Sequence, residues 1–429
     1  MNKSKILISI MMRVMKKFYS LTIIVILCFS IVSLFALAVN AQSADSWPMF
    51  HGNLAHTGYS NGAGPSSNQT LWIFKTNGEV WSSPAVANGI VYVASFDRNI
   101  YAIDASKGTE IWSYPLGGLP FSSPAVANGL VYVGSSDDNL YALNAATGAL
   151  AWKYATGNAV QSNPTVAAGI VYFGSSDNKL YAVNATNGAL LWNFTTAGNV
   201  ISSAAVSNGI IYFGSYDHKI YALDATTGKE RWNFTTGNVI QSSPVVADGG
   251  VYVGSFDNQT YALNAQTGTL DWKVPTGYDQ CVQASPAYAN GVVYTGGSFD
   301  NNVYALNAST GATKWHYLTG GGIFTAPAIV GNIEYVGSLD NRTYALNAQT
   351  GAFIWSYKTG GNIYSSPAIV NGVAYFGSYD NNVYAIGQKP SNTAPPTSTS
   401  LPVTDYYLIG IVVLIVVIVV AIMVLRKKH

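Results

Sequence analysis

The chain has 429 residues and a formal net charge of +1, with 10% charged and 13% aromatic residues. Eight of the 21 basic residues lie in the first 17 and last four positions, whereas all 20 acidic residues fall between Asp45 and Asp405. The body is therefore acidic, which argues against a nucleic-acid partner, since such partners require a basic surface. The 29 tyrosines and 42 glycines favour short strands joined by tight turns.

Residues 1–41 predict a signal for export. Basic residues precede an almost wholly apolar run from Leu21 to Val39, and small residues suited to cleavage lead to Ala41. The run is also long enough to remain as an uncleaved membrane anchor, so both alternatives stay open. Residues 42–69 then form a lead-in segment before the first complete repeat.

A regular repeat occupies most of the chain. Tryptophan recurs every 40 residues, with one step of 43, and a tyrosine keeps the same period. The tryptophans are Trp72, Trp112, Trp152, Trp192, Trp232, Trp272, Trp315 and Trp355. The tyrosines are Tyr101, Tyr141, Tyr181, Tyr221, Tyr261, Tyr304, Tyr344 and Tyr384. A period near 40 residues is typical of β-propeller blades.

One repeat contains four strand-sized pieces separated by turn residues. They are Ser83–Ala87, Ile90–Ala94, Ile100–Ile103 and Glu110–Tyr114. The first two are joined by Asn88-Gly89, a strong hairpin signal because both turn positions require a positive φ. Each repeat is therefore predicted to form one four-stranded antiparallel blade.

The ends of the repeat array predict how the ring closes. The last repeat contains Tyr384, but Pro395 stands where its tryptophan is due. Leu71–Lys75 reads as a fourth strand with no first three strands before it. A closed ring leaves no blade with an unpaired edge. We therefore predict an all-β fold, an eight-bladed propeller over residues 70–387 whose last blade is completed by the N-terminal strand.

The residues after the repeats predict a membrane tether. Residues 388–405 are rich in Pro, Ser and Thr and suit a flexible or extended stalk. Residues 406–425 form an apolar run that is long enough for a transmembrane helix. The basic tail, residues 426–429, is expected to stay in the cytoplasm. The chain is thus predicted to be a single-pass cell-membrane protein with an extracytoplasmic propeller.

Seven Asn-x-Ser/Thr sequons are candidate N-glycan sites in an exported chain. They lie at Asn68, Asn184, Asn193, Asn233, Asn258, Asn307 and Asn341. Asparagine is also a favoured turn residue, so several sequons are explained by the repeat itself.

The strings Ala142–Trp152 and Ala222–Trp232 resemble the tryptophan-docking motif of the quinoprotein (PQQ-dependent) dehydrogenase propellers. In that family the motif locks adjacent blades, because the indole stacks between the motif's alanine and a peptide plane of the next blade. The resemblance implies this structural role for all eight periodic tryptophans. Trp47–Gly58 also resembles the lead-in that precedes PQQ-like repeats, so the resemblance covers about residues 47–387.

The resemblance does not carry the enzymes' activity with it. Those enzymes bind their quinone near the propeller axis with a Ca²⁺ ion, use an aspartate as base, and many have a vicinal cysteine pair. This body has one cysteine, Cys281, and blades near the minimum length. It is closer to the non-enzymatic propeller of the bacterial outer-membrane assembly machinery. We therefore expect no catalytic residue, cofactor or metal site, with a PQQ- and Ca²⁺-dependent alcohol or sugar dehydrogenase as the alternative.

An aspartate recurs two positions after a serine in every repeat. The set is Asp97, Asp137, Asp177, Asp217, Asp257, Asp300, Asp340 and Asp380. A ring of carboxylates for Ca²⁺ is one interpretation. Eightfold recurrence favours turn chemistry instead, because a single axial site has no use for eight equivalent bases.

The position three residues before the proline of strand one varies between repeats. It reads Trp81, Phe121, Gln161, Ile201, Gln241, Gln283, Phe324 and Tyr364, and Ala204 replaces the proline in the fourth. Aromatic residues fall on one side of the ring and amides on the other. Since first strands lie nearest the axis, we predict an axial ligand-binding mouth formed by all of these except Ile201. It suits a stacked sugar or a gripped peptide, with ordinary packing between blades as the alternative.

A three-residue insertion near Tyr278–Cys281 lengthens the loop before the sixth first strand. It suits either a partner contact or a tolerated loop, and Cys281 either pairs with another chain or is unreactive. The sequence as a whole predicts a binding or scaffolding module for protein or carbohydrate partners at the cell surface. An envelope structural component or adhesin is a further alternative.

Overall fold

The computed structural model describes residues 46–278 and 282–388, which form 33 β-strands. Within these two ranges no helix is long and apolar enough to cross a membrane. The predicted export signal, stalk, transmembrane helix, basic tail and Cys281 all lie outside the described residues.

Each of eight blades contains four antiparallel strands, and in blades one to seven these strands follow one another in sequence. The first, innermost strands are β3 (Ala85–Ala87), β7 (Ala125–Ala127), β11 (Thr165–Ala167), β15 (Ala205–Ser207), β19 (Val245–Ala247), β23 (Ala287–Ala289), β27 (Ala328–Val330) and β31 (Ala368–Val370). The second strands are β4 (Ile90–Ser95), β8 (Leu130–Gly134), β12 (Ile170–Ser175), β16 (Ile210–Gly214), β20 (Gly250–Gly254), β24 (Val292–Gly296), β28 (Ile333–Ser338) and β32 (Val373–Ser378).

The outer two strands of each blade complete the sheet. The third strands are β5 (Asn99–Asp104), β9 (Asn139–Asn144), β13 (Lys179–Asn184), β17 (Lys219–Asp224), β21 (Gln259–Asn264), β25 (Asn302–Asn307), β29 (Arg342–Asn347) and β33 (Asn382–Gly387). The fourth strands are β6 (Glu110–Pro115), β10 (Leu150–Ala155), β14 (Leu190–Thr195), β18 (Glu230–Thr235), β22 (Leu270–Pro275), β26 (Thr313–Leu318), β30 (Phe353–Lys358) and β2 (Thr70–Lys75). We number the blades one to eight in the order of their first strands.

Local sequence explains these boundaries. Asn88 and Gly89 both have positive φ, 52° and 74°, as the predicted hairpin requires. The second strands are almost entirely buried because a blade lies on each face, whereas the outermost strands alternate between exposed and covered positions. The first strand is shorter than predicted and begins at Ala85. Ser83, the predicted first residue of this strand, instead donates its N–H to Ser123 Oγ of the next blade.

The predicted closure of the ring is confirmed. β2 pairs antiparallel with β33, with Ile73 opposite Tyr384. Blade eight therefore takes three strands from the end of the repeat array and one from its beginning. The eight-bladed, four-stranded architecture follows from this pairing.

The lead-in folds into the channel at the centre of the ring, which the sequence did not predict. We call residues 46–69 the channel segment. Its backbone bonds to the first strands of six blades and to the turn that follows the first strand of blade eight. The six bonds are Trp47–Val86, Pro48–Val126, Leu54–Val206, Ala55–Val246, Thr57–Tyr288 and Gly58–Ile329, and the bond in blade eight is Ala63–Gly372. In blade three the contact is His56 Nε2 to Thr165 Oγ1, at 3.3 Å. Residues Tyr59–Ser60 also form a short strand, β1, parallel to β27.

The periodic tryptophans lie at the contacts between blades. Trp112 Nε1 donates to the carbonyl of Ala145 in the next blade, at 3.0 Å, and Tyr92 donates to the same oxygen. Gly148, with φ of 72°, lies against the Trp112 indole, where a Cβ would come within 2.7 Å of the ring. We call the indole-to-carbonyl bond a latch. The same latch forms from Trp72, Trp152, Trp192, Trp232, Trp272 and Trp315.

Trp355 departs from the interblade bond implied for all eight tryptophans. Its indole N–H is buried and has no partner among the described residues. The reason is topological, because the third strand of blade eight ends at Gly387 without turning into a fourth. The channel segment occupies part of that space, and Tyr335 donates to the carbonyl of Pro65 at 3.1 Å.

Candidate ligand-binding site on the propeller axis

A cavity of about 260 Å³ lies where the loops before the first strands converge. Its lining consists of Phe50, Trp81, Phe121, Gln161, Asn163, Ile201, Ser203, Tyr216, Gln241, Ser243, Gln283 and Ser285. Five of the seven residues predicted for the axial mouth are among them. Phe50, from the channel segment, closes the cavity on the side of the channel.

The aromatic side is a continuous arc of rings. The Trp81 centroid lies 5.5 Å from that of Phe121 and 5.2 Å from that of Tyr364. Phe324 continues the arc, 5.5 Å from Tyr364. Phe324 and Tyr364, the other two predicted residues, do not line the cavity, and their rings pack on further aromatic side chains. Tyr364 stacks on Tyr379 at 4.8 Å, and Phe324 contacts Phe299 edgewise.

The opposite side of the cavity carries carboxamides. Gln241 Oε1 accepts a hydrogen bond of 2.8 Å from the Tyr216 hydroxyl, which fixes that side chain. The side-chain amides of Gln161 and Gln283 have no partner among the described residues, although both residues are half-buried. Each amide offers two donors and an acceptor, so this side can still form several hydrogen bonds.

A second ring of aromatic residues around the axis was missed by the sequence reasoning. Phe96, Tyr216, Phe299 and Tyr379 lie in the turns between second and third strands and contact the predicted residues. All four occupy the middle position of the recurring Ser-x-Asp. That position varies between repeats while its neighbours do not, and this variability is the signal that could have identified them.

Hydroxyls and one amide link the blades around the axis. The N–H of Ser203 donates to Ser243 Oγ in the next blade, at 2.9 Å. We call the set of these links the serine ring. Its other links run from Ser83 to Ser123, Ser123 to Asn163, Asn163 to Ser203, Ser243 to Ser285, Ala326 to Ser366 and Ser366 to Ser83. The ring is interrupted after Ser285, because Ala326 offers no oxygen.

The recurring aspartates form hydrogen bonds within the turns. Asp97 Oδ2 accepts bonds from the Tyr101 hydroxyl at 2.7 Å and from the Asn77 N–H at 2.9 Å. Its Oδ1 accepts from the Asn99 N–H at 3.0 Å. In all eight blades the aspartate accepts from the tyrosine four residues later. These contacts are those expected of turn chemistry.

Two buried histidines lie beside Phe50 in the channel segment. The Phe50 ring centroid is 4.4 Å from that of His51 and 5.7 Å from that of His56. Burial lowers the pKa of His51 to about 4 and that of His56 to about 3, and the neighbouring His51 further lowers the latter. Both imidazoles are therefore neutral near pH 7, and the channel side of the cavity is uncharged.

The lining does not fit a carboxylated quinone with a calcium ion. It contains aromatic, amide and hydroxyl groups but neither carboxylates for Ca²⁺ nor cations that would neutralise an anionic cofactor. Throughout residues 46–278 and 282–388, no cluster of three or more His, Cys, Asp or Glu is arranged to hold a metal ion.

An eight-bladed ring of four-stranded sheets with interblade tryptophans and an axial cavity defines a PQQ-like β-propeller. Residues 62–205, 196–322 and 318–394 match the family model described as outer membrane protein assembly factor BamB. Since these matches span most of the sequence, the chain belongs to this family. A comparison with curated proteins returned no match.

Solved structures share the fold at low sequence identity. BamB from Moraxella catarrhalis is 20% identical, with a TM-score of 0.66, over 75% of this chain and 100% of that one. A europium-containing methanol dehydrogenase is 14% identical, with a TM-score of 0.72, over 82% and 100% of the two chains. The computationally designed Ika8 protein is 17% identical, with a TM-score of 0.68, over 75% and 100%. Likeness at these identities shows the fold alone.

Proposed function

We propose that this chain is a non-catalytic binding and scaffolding propeller of the cell envelope, which holds its ligand in the axial cavity. The observation that carries the proposal is the asymmetry of the lining. An aromatic arc lies on one side and amides with unused hydrogen-bonding groups on the other. Pockets that combine apolar walls with a few convergent polar groups are typical of ligand sites.

The chemistry of the lining favours binding over catalysis. Its titratable groups are limited to the Tyr216 phenol, which already hydrogen-bonds Gln241. A general base or nucleophile needs a partner that tunes its proton affinity, and amides, serines bound to backbone and aromatic rings supply none. Each recurring aspartate accepts a hydrogen bond from the tyrosine four residues later.

Family membership supports a scaffolding role in the envelope, because the matching family is described as an outer-membrane assembly factor. A protein partner there is consistent with that description. The predicted export signal and C-terminal span support an extracytoplasmic propeller held to a membrane. Together these features favour a tethered module that joins an axial ligand to a neighbouring protein.

Site-specific photo-crosslinking in the intact envelope tests this function. A photoreactive phenylalanine analogue replaces Gln161 in the cavity or, as the matched control, Leu190 on the exposed outer strand β14. We expect the probe at position 161 to give a discrete adduct with an envelope component, which the probe at 190 does not give. Adducts from position 190 alone would contradict a ligand at the axis.

A reconstitution experiment tests the absence of catalysis separately. The full-length chain is incubated with pyrroloquinoline quinone and Ca²⁺, and dye-coupled oxidation of alcohols and sugars is measured. We expect no turnover above that of the cofactor alone. Turnover that is lost in a Trp81→Ala variant would replace the binding proposal by the dehydrogenase alternative.

A further inference from the structure

We infer that the axial cavity binds one unit of a neutral carbohydrate, an inference that rests on the proposed function and names its ligand class. Size gives the first constraint. The cavity of about 260 Å³ is at the lower limit of small-molecule sites, which span roughly 300–1,000 Å³. It therefore suits one ring-sized group, such as the end unit of a longer glycan.

The aromatic side offers a platform for a sugar ring. Trp81 and Phe121 both line the cavity and are half-buried, so part of each ring faces the open space. The face of an aromatic ring carries partial negative charge, which attracts the weakly positive C–H groups of a pyranose. Phe96 holds these rings in place from behind, 5.6 Å from Trp81 and 5.1 Å from Phe121.

The amide side matches the hydroxyls of the same ring. Gln161 and Gln283 carry both donors and acceptors that are unused among the described residues, and a sugar hydroxyl can serve as either. The Tyr216 bond to Gln241 Oε1 leaves the NH₂ group of that side chain available. A site whose polar groups stay unpaired without the ligand discriminates strongly for hydroxyl-rich molecules.

Charge argues against an anionic ligand. No lining residue is charged, so the cavity offers no counter-charge to an anion. Burial raises the pKa of Tyr364, and the neighbouring Glu79 carboxylate raises it further, which places a negative charge beside the aromatic arc. An anion would therefore lose its hydration without gaining a counter-charge.

The channel segment argues against a peptide that adds a strand at the axis. Such binding requires a free strand edge along the channel. The inner edges are already occupied, since Trp47 pairs with Val86 and the carbonyls of Leu54 and Ala55 accept from Val206 and Val246. A ligand in the cavity is recognised through side chains, which favours a compact ring over an extended backbone.

Isothermal titration with the full-length chain tests the inference, in a detergent without a sugar headgroup. The neutral probes are maltohexaose, cellohexaose and chitohexaose. Polygalacturonate and choline are the anionic and cationic probes. We expect saturable binding of at least one neutral probe, which Trp81→Ala weakens about tenfold or more and Gln161→Ala about fivefold. Trp81→Phe is expected to retain part of the affinity, because a flat ring remains.

Two controls establish that a loss of binding is local. Gln266→Ala removes an exposed amide and Phe353→Ala an exposed ring, both outside the cavity, and neither variant is expected to change the affinity. Thermal melts of all variants identify any that fail to fold, and Trp81→Phe then carries the test in place of Trp81→Ala.

The outcomes separate the inference from the function on which it rests. Binding of only the anionic or only the cationic probe overturns the carbohydrate assignment. Binding of no probe, together with an adduct from position 161 in the envelope, also overturns it but leaves the axial binding function in place. Neutral binding that Trp81→Ala and Gln161→Ala do not alter overturns the assignment of the carbohydrate to the axis, and it overturns the axial binding function as well where position 161 gives no adduct in the envelope.

Discussion

Blades two to five and blades six to eight are built from the same repeat but differ in how regularly they join. The contacts between blades two and five each repeat the latch and a link of the serine ring. The later blades depart at three positions, all of them in blade seven. Ala326 interrupts the serine ring, Glu334 is a buried carboxyl at a position that is otherwise apolar, and the Trp355 indole N–H has no acceptor among the described residues.

The difference teaches that ring closure does not depend on any single kind of interblade contact. Blade seven adjoins blade eight, where the two ends of the propeller meet, and there the channel segment and β2 supply other contacts. Asn68 donates to the Ser356 carbonyl at 3.0 Å, and Thr70 bonds the Tyr357 hydroxyl at 2.8 Å. A closed ring tolerates local losses because each blade retains a neighbour on both sides.

The largest effect is expected from proline in the closing strand. The two variants compared are Phe74→Pro in β2 and the matched Phe234→Pro in β18. Each removes an aromatic ring that packs edgewise on a tyrosine of the next blade. Each also removes a hydrogen bond between strands of its own blade. Each should cost about 3 kcal/mol or more. Only Phe74→Pro should also release β2 and expose the edge of β33, leading to self-association.

Urea unfolding and light scattering on the detergent-solubilised chain measure these two effects. If both proline variants stayed monomeric and lost equal stability, the closing strand β2 would be no more important to the ring than β18.

The second prediction concerns Glu334. The carboxyl is fully buried with no partner among the described residues, and burial raises its pKa well above the usual value. Equivalent positions hold Val91, Val131, Val171, Ile211, Val251, Val293 and Ala374. Folding therefore retains a proton that the unfolded chain releases above about pH 4.5. Stability should fall as pH rises from there, by up to about 1.4 kcal/mol per unit.

Glu334→Val is expected to be more stable than the wild type, with a margin that grows as pH rises. Urea midpoints between pH 5 and 8 measure this margin. Glu110→Val, at an exposed position of β6, is the control and should show no such trend. A margin that stays constant across this pH range would argue against a protonated Glu334 in the folded chain.

The third prediction compares a latched with an unlatched tryptophan. Trp232→Phe loses the bond of 3.0 Å to the Ala265 carbonyl, whereas Trp355→Phe loses no hydrogen bond to residues 46–278 or 282–388. Both variants lose similar ring area. Trp232→Phe should therefore be the more destabilised by about 0.5–1.5 kcal/mol. Equal unfolding midpoints for the two variants would show that the latch contributes nothing to stability.

The smallest effect is expected from completing the serine ring. Ala326→Ser places a hydroxyl opposite the Ser285 N–H, as at the equivalent positions of six other blades. A gain of about 0.5 kcal/mol is expected, the lower end of the contribution of one hydrogen bond. Ala328→Ser, two positions later in the buried strand β27, is the control and should destabilise the fold. A loss of stability in Ala326→Ser would show that neighbouring side chains already fill the space that the new hydroxyl needs.

Much of the fold was predictable because its signals are local. The Asn88-Gly89 turn requires positive φ, and the spacing of the tryptophans defines the blades. The pairing of β2 with β33 followed from one missing and one surplus strand, although the two are more than 300 residues apart. The channel segment gave no such signal, because its carbonyls bond to different blades without a period.

The repeat also allowed part of the candidate site to be predicted. Trp81, Phe121 and the glutamines occupy a position that varies while the rest of the repeat stays constant, but the sequence cannot show which aromatic rings pack on one another. Phe324 and Tyr364 share that position yet do not line the cavity, and their rings pack on Phe299 and Tyr379. The Phe299–Phe324 contact joins blades six and seven, whereas the Tyr364–Tyr379 contact lies within blade eight.

The sequence alone determined the number of blades, the order of their strands and the way the ring closes, because hairpin geometry and periodic packing depend on neighbouring residues. Only the tertiary structure decided that the lead-in fills the channel, that six variable positions meet in one uncharged cavity, and that Trp355 has no acceptor in the part of the chain that the structure describes. These features depend on how eight separate sheets converge on a common axis, and that convergence is fixed by packing between blades.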